Sequence, residues 1–246
     1  MRKFVFIVGP SGSGTTLLTR LISKQKDTIC LGGNFKTESN NKRFNELVYS
    51  FIEANRISWN KKTNFKAHED MIVEQKALIE EILNIDEYKD TKRIVFKRSA
   101  PFMTGDDHTP DLFDLKKIFK NLKIIVMLRD PRASTYSSYR RNFGDNLRHC
   151  AKIANFELVN LKTQLSVLNS NDYIVCNYER LCSNPEFELE KINIFLSLPK
   201  ENMLKVEDIK KSQLDLWKKE LNQDDIKYLD NYFSIDRMKQ FEELFK

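Results

Sequence analysis

The chain has 246 residues, four cysteines, and a formal charge of +6 from 41 lysines and arginines against 35 acidic residues. That length supports one α/β domain with a sizeable core, and the positive balance suits anionic ligands. No apolar run approaches the ~20 residues of a membrane span. The widely spaced Cys30, Cys150, Cys176 and Cys182 form neither a metal-ligand pattern nor a disulfide framework.

Phe4-Val5-Phe6-Ile7-Val8 reads as a strand and Thr15 to about Lys24 as a helix. Between them, Gly9-Pro10-Ser11-Gly12-Ser13-Gly14 has the G-x-x-x-x-G frame of a phosphate-cradling P-loop. Its glycines allow close backbone approach, and N–H groups at the helix start face an anion. Thr15 stands where an ATP- or GTP-binding loop needs lysine, which points to a different anionic nucleotide. An ordinary tight strand-to-helix turn is the plain alternative. A short second strand spans Thr28–Leu31. From about 40 to 90 the chain is polar and mostly helical, with helices around Phe44–Ala54 and Glu69–Leu83. Arg93–Phe96 is the next strand, ending in Lys97. Leu112, Leu115, Ile118, Phe119 and Leu122 mark a helix that leads to a strand at 123–128.

That strand runs into Arg129-Asp130-Pro131-Arg132-Ala133-Ser134. Asp130 is placed to cap a helix and Pro131 fits its first turn. Arg129 is thereby held at the carboxyl end of a strand, where open α/β sheets bind ligands. Ser137 and Arg141, four apart, fall on one helical face. With Arg129 they can hold a dianionic phosphate through charge-assisted hydrogen bonds. A surface helix with scattered basic residues is the plain alternative. Leucines and alanines from Leu147 to Leu168 alternate four and three apart, which fits a helix on a sheet better than a coiled-coil seam. Tyr173–Cys176 is a further strand, before Tyr178. Strands alternating with helices predict a P-loop-type three-layer α/β sandwich, its mainly parallel central sheet flanked by helices. Residues 1–246 are expected to form a single domain.

These landmarks resemble the sulfotransferases that use 3′-phosphoadenosine 5′-phosphosulfate (PAPS). Ser13-Gly14-Thr15-Thr16-Leu17-Leu18 matches the family's S-G-T-T-L-L loop, which holds the 5′-phosphosulfate. Arg129 and Ser137 match an R-D-P-R-A-S…S pattern that holds the 3′-phosphate, and Arg141 matches a 3′-phosphate-binding arginine of the tyrosylprotein branch. Tyr178-Glu179-Arg180-Leu181-Cys182-Ser183-Asn184-Pro185 is similar to Y-E-D-L-x-x-N-P, whose tyrosine touches the nucleotide. Trp217-Lys218-Lys219-Glu220-Leu221 resembles W-K-x-x-L. The resemblance runs from residue 4 to about 221 and is nearest the tyrosylprotein and carbohydrate branches. It implies PAPS as cofactor, its desulfated form PAP as product, and no metal. It also implies in-line transfer of a sulfuryl group to a hydroxyl of a carbohydrate, tyrosyl or small-molecule acceptor. The implied nucleotide contacts are Gly12, Ser13, Gly14, Thr15, Thr16, Arg129, Ser137, Arg141 and Tyr178. The helical stretch at about 40–90 is expected to be an insertion, either a lid over the acceptor site or a plain covering subdomain.

The chain departs from this pattern in two places. Many relatives carry lysine or arginine immediately before S-G-T-T, where this chain has Gly12. Lys97, in a segment similar to the K-x-P stretch of the tyrosylprotein and related branches, is the expected substitute at the leaving group. An arginine at position 12 could either restore that cation or crowd the site. The general base is less marked: Glu38, just after the second strand, comes first. His108, in the loop after the Lys97 strand, comes second, with a resting pKa near 6.5 suited to proton transfer. Two other readings stay open, a non-catalytic PAPS- or PAP-binding regulatory protein and a kinase with an altered P-loop. The expected partners are a nucleotide and an acceptor. Nucleic acid is not expected, because no interleaved basic and aromatic motif appears. Nor is a membrane, and no secretory h-region precedes the first strand, so a cytoplasmic location is expected.

Overall fold

Alternating side chains along five short apolar runs build the centre of the molecule. In the computed structural model, residues 2–31, 37–60, 65–99, 112–198, 214–234 and 239 are described. The strands are β1 (Lys3–Gly9), β2 (Thr28–Cys30), β3 (Arg93–Ser99), β4 (Leu122–Leu128) and β5 (Tyr173–Asn177). They form one sheet in the order β2-β3-β1-β4-β5, every described pairing parallel. The strands after β1 go to both of its sides, so the carboxyl end of β1 lies at the reversal of strand order where such sheets bind ligands.

The helices in chain order are α1 (Thr15–Ser23), α2 (Lys42–Asn60), α3 (Phe65–Leu83), α4 (Leu112–Ile118), α5 (Pro131–Tyr139) and α6 (Leu147–Leu165). They continue with α7 (Tyr178–Ser183), α8 (Pro185–Leu196), α9 (Leu216–Glu220) and α10 (Gln223–Tyr232). Period-two alternation sends Phe6, Val8, Ile94, Phe96, Ile124 and Val126 into one core, shared with buried residues of α2 to α6, α9 and α10. Val5, Ile7, Val95, Ile125 and Met127 enter a second core, shared with α1, α7 and α8. Helices therefore cover both faces, as parallel strands require.

The departures from the expected elements have local causes. Helices α2 and α3 run longer than their apolar spacing predicts, α2 reaching Asn60 and α3 starting at Phe65. Strand β3 continues past Phe96 to Ser99, since β1 offers partners up to Gly9, pairing Ile7 with Lys97 and Gly9 with Ser99. Lys97 thus lies inside the strand instead of closing it. Helix α4 stops at Ile118, ahead of the buried Phe119 and Leu122. Helix α6 packs on α5, α4, α10 and β1, so its apolar stripe is a helix-on-sheet face.

Candidate active site

The loop between β1 and α1 is shaped by two glycines in left-handed backbone, Gly12 at φ +81° and Gly14 at φ +99°. A Cβ on Gly14 would lie 2.5 Å from the Tyr178 ring, and one on Gly12 would lie 2.4 Å from the Ser134 carbonyl oxygen of α5. L side chains strain at such φ, and here they also collide. Gly12 is therefore not a vacant place for a cation. An arginine there meets the α5 backbone at its first carbon, so it crowds the site instead of restoring the missing charge. Helix starts leave their first amides without intrahelical partners, and in α1 these are the amides of Thr15 and Thr16.

Lys97 shares the parity of Val95, so its side chain faces α1. Its Nζ donates to Thr16 Oγ1 at 2.8 Å. A hydroxyl that accepts from lysine has its own proton to give elsewhere. Burial lowers the Lys97 pKa, and the Arg141 charge pushes the same way, with Cys30 opposing. The two residues are thus close enough to feel one another.

Arg129 follows β4, and Tyr178 opens α7 after β5; the pairing of Leu128 with Asn177 sets them side by side. The Arg129 guanidinium lies 4.3 Å from the Tyr178 ring centroid, and its Nη1 donates to the Gly12 carbonyl at 3.1 Å. The Tyr178 ring is thus sandwiched between Gly14 and Arg129. Burial pushes its phenol up to about 12 against the pull of Arg129, so it stays protonated. Asp130 caps α5 by accepting from Arg132 N at 2.9 Å, while its own N–H donates to Glu179 Oε1 at 3.0 Å. That bond ties the start of α5 to the start of α7.

A cavity of about 270 Å³ opens beside Arg129, lined also by Ser137, Arg140, Arg141 and Leu216. Helix α5 ends at Tyr139, so Arg141 sits in the following turn and not on the helical face its spacing predicts. Its amide donates to the Ser138 carbonyl at 3.1 Å, and it lines the cavity with Ser137 all the same. Arg140, which no motif singles out, lines it too and lies 3.8 Å from Glu220. Arg132 points away from the cavity. It pairs with Asp130 and Asp230 and lies over the buried Trp217, docking α9 and α10 on α5.

Thr37 holds the start of the segment after β2, its hydroxyl accepting from Cys30 N at 2.8 Å. Glu38 is exposed just beyond it. His108 lies outside the described residues. Two residues absent from the sequence-based set emerge behind the loop. Ser11 is buried there, and both its N–H and its hydroxyl donate to the carboxylate of Glu157 on α6, at 2.8 and 3.1 Å. The signal is present in the sequence as a charge on an apolar stripe, three after Ala154 and four before Leu161.

The residues gathered here fit an anionic nucleotide. Along the seam of loop and α5, the buried hydroxyls of Ser13, Ser134 and Ser138 have no hydrogen-bond partner among the described residues. Around them stand Lys97, Arg129 and Arg141, with the Thr16 hydroxyl and a loop whose glycines admit no side chain. A parallel α/β sheet with an anion loop after its first strand, and cations at the ends of its neighbours, defines a P-loop-type nucleotide site.

A family model described as "Sulfotransferase family" matches residues 5–202. The chain belongs to the sulfotransferase family. It is 26% identical over 212 residues to protein-tyrosine sulfotransferase 1 of Danio rerio, covering 79% of this chain and 53% of that protein. The chain therefore spans about half the length of the curated relative it matches. A sulfotransferase of Alicyclobacillus acidocaldarius superposes with a TM-score of 0.60 at 16% identity, covering 100% of this chain and 96% of that one. The sulfotransferase domain of the curacin biosynthetic pathway does so at 0.57 and 15%, covering 94% and 97%. Both likenesses are of fold. Among the described residues, no helix is long and apolar enough to cross a membrane.

Proposed function

We propose that the protein is a sulfotransferase that moves a sulfuryl group from PAPS to an acceptor hydroxyl. The observation that carries this reading is the Lys97–Thr16 bond of 2.8 Å at the loop, beside a cavity shared by Arg129, Ser137 and Arg141. Residues 12–16 would hold the 5′-phosphosulfate, and Arg129, Ser137 and Arg141 the 3′-phosphate, with Tyr178 as the platform behind the loop. When bound, PAPS supplies an activated sulfuryl group on a phosphate leaving group. Lys97 keeps a half-buried donor beside Thr16, where preorganised positive charge is worth more than in water. With Gly12 closed against α5, Lys97 is the cation that serves this place. Glu38 is our candidate for the base that takes the acceptor's proton, with His108 second. The acceptor is a carbohydrate, tyrosyl or small-molecule hydroxyl, the helices at about 40–90 cover its side of a single domain, and the protein works in the cytoplasm.

Calorimetry tests the nucleotide half. PAP should bind at micromolar affinity or tighter and at least tenfold better than 5′-AMP, since one charge-assisted contact is worth ~1.5–3 kcal/mol. Arg129→Met should erase most of that preference, and equal affinities in the parent protein would overturn the assignment. Turnover of labelled PAPS against tyrosyl peptides, oligosaccharides and phenols tests the transfer. PAP binding without turnover on any acceptor would make this a regulatory nucleotide-binding protein instead.

A further inference from the structure

Glu157 has no place in the sulfuryl-transfer chemistry, yet it is 1% exposed and lies directly behind the anion loop. Its neighbours on α6, Ala154, Leu158 and Leu161, are buried and apolar. A carboxylate in such a place needs a reason, because an isolated buried charge is unfavourable. Burial pushes its pKa up to about 7, with only the two Ser11 bonds working against that rise. An apolar side chain would fill the volume without this penalty.

The geometry shows what the carboxylate does that an apolar group cannot. Ser11 presents two donors on one residue, its N–H and its hydroxyl, and each carboxylate oxygen accepts one of them. Only an ionised carboxylate offers two acceptors in that arrangement; an amide offers one acceptor and one donor. The clamp turns the first amide of the loop inward. The amides at the start of α1 then remain as the donors that face the anion. Ser11 lies two residues after Gly9 and one before Gly12, so fixing it sets the entry of both left-handed turns.

On the footing of the proposed function, we infer that Glu157 is the positioning residue of the phosphosulfate loop, holding it in its anion-ready form through Ser11. It touches neither nucleotide nor acceptor. Precise sites depend on such supporting groups, and a loop left unsupported loses affinity before it loses its fold. The penalty of the buried carboxylate in the folded chain is then exchanged for a preformed nucleotide site.

The test measures PAP affinity by calorimetry and melting temperature at pH 8 on the same variants. Glu157→Met keeps the volume and removes both acceptors; it should weaken PAP binding at least tenfold while melting within a few degrees of the parent. Glu157→Gln keeps one acceptor and should weaken binding about threefold. Ser11→Ala should weaken binding about threefold in the parent and not further in the Glu157→Met background. A folded Glu157→Met protein with parental affinity overturns the inference, and so does a large loss of stability with affinity unchanged. Should Glu157→Met not fold, Glu157→Gln with Ser11→Ala decides: non-additive losses uphold the clamp and additive ones overturn it. Parent protein that does not bind PAP would instead bring down the proposed function, and this inference with it.

Discussion

At the amino-terminal end of the sheet, Lys3 donates to the Leu196 carbonyl at 2.8 Å, Lys123 to the Asn171 carbonyl at 2.7 Å, and Lys116 to the Asp172 carboxylate at 2.6 Å. At the carboxyl-terminal end, Lys97 donates to the Thr16 hydroxyl in the first turn of α1, and Arg129 to the Gly12 carbonyl of the anion loop. The first set closes the ends of elements and ties helices to strands. In the second, Arg129 lines a cavity next to a row of buried hydroxyls without partners among the described residues, and Lys97 stands close enough to Arg141 of that lining to feel its charge. Carboxylates follow the same division. Asp172 is met by a lysine, whereas Glu157, under the loop, is met by two donors of one serine. The two sets differ in the nature of their partners, since residue type is the same at both ends.

The largest effect should come from breaking the loop. Gly14→Val places a branched side chain against the Tyr178 ring at φ +99°. It should weaken PAP binding on the order of a thousandfold, equivalent to losing two charge-assisted contacts. Calorimetry on the folded variant checks this; unchanged affinity would mean that the anion sits elsewhere.

Next is the pH dependence of Glu157. Its native pKa, about 7, lies above the reference value of 4.5, so the folded protein holds the extra proton between those values. Stability therefore falls as pH rises through that window, the full penalty is present above about 7, and it disappears below 4.5. The difference amounts to about 3 kcal/mol. Urea titrations from pH 4.5 to 8 should show this fall in the parent and not in Glu157→Gln; parallel profiles would place the proton on another group.

Lys97→Ala should lower turnover by about a hundredfold, comparable with losing an oxyanion-hole donor. PAP affinity should fall much less, because the contact matters most in the transition state. Near-normal turnover on a proven acceptor would remove Lys97 from the mechanism. The smallest effect belongs to the other end of the sheet. Lys116→Met breaks a partly buried pair with Asp172 and should reduce stability by about 1–2 kcal/mol, with steady-state kinetics unchanged. A kinetic effect of Lys116→Met as large as that of Lys97→Ala would erase the distinction between the two ends.

The individual elements differ in how legible they are from sequence. Strands β1, β2 and β4 and helix α1 can be read nearly to the residue, because apolar runs of period two and glycine-defined turns are local signals. Asp130 and Pro131 mark the start of α5 for the same reason, since a cap acts on the amides that follow it. Helix α4 departs from the pattern because Phe119 and Leu122, which continue its apolar spacing, are buried beyond its end. The spacing of Arg141 predicts a helical face that in fact stops two residues short of it.

The succession of strands and helices along the chain and the phosphate-type loop without its lysine were determined by the sequence alone. Each rests on contacts within a few residues. Tertiary structure decided which of these groups meet and what the same residue type does in each place. Arg129 and Arg132 are three apart, yet one stacks on Tyr178 beside the loop and the other locks down the C-terminal helices. Lys97 reaches Thr16 across 81 residues, and Glu157 reaches Ser11 across 146. Gly12 excludes a side chain by its left-handed φ, and the α5 carbonyl of Ser134 lying against it closes the remaining space. None of these pairings leaves a local trace, because each depends on how distant elements pack over the sheet.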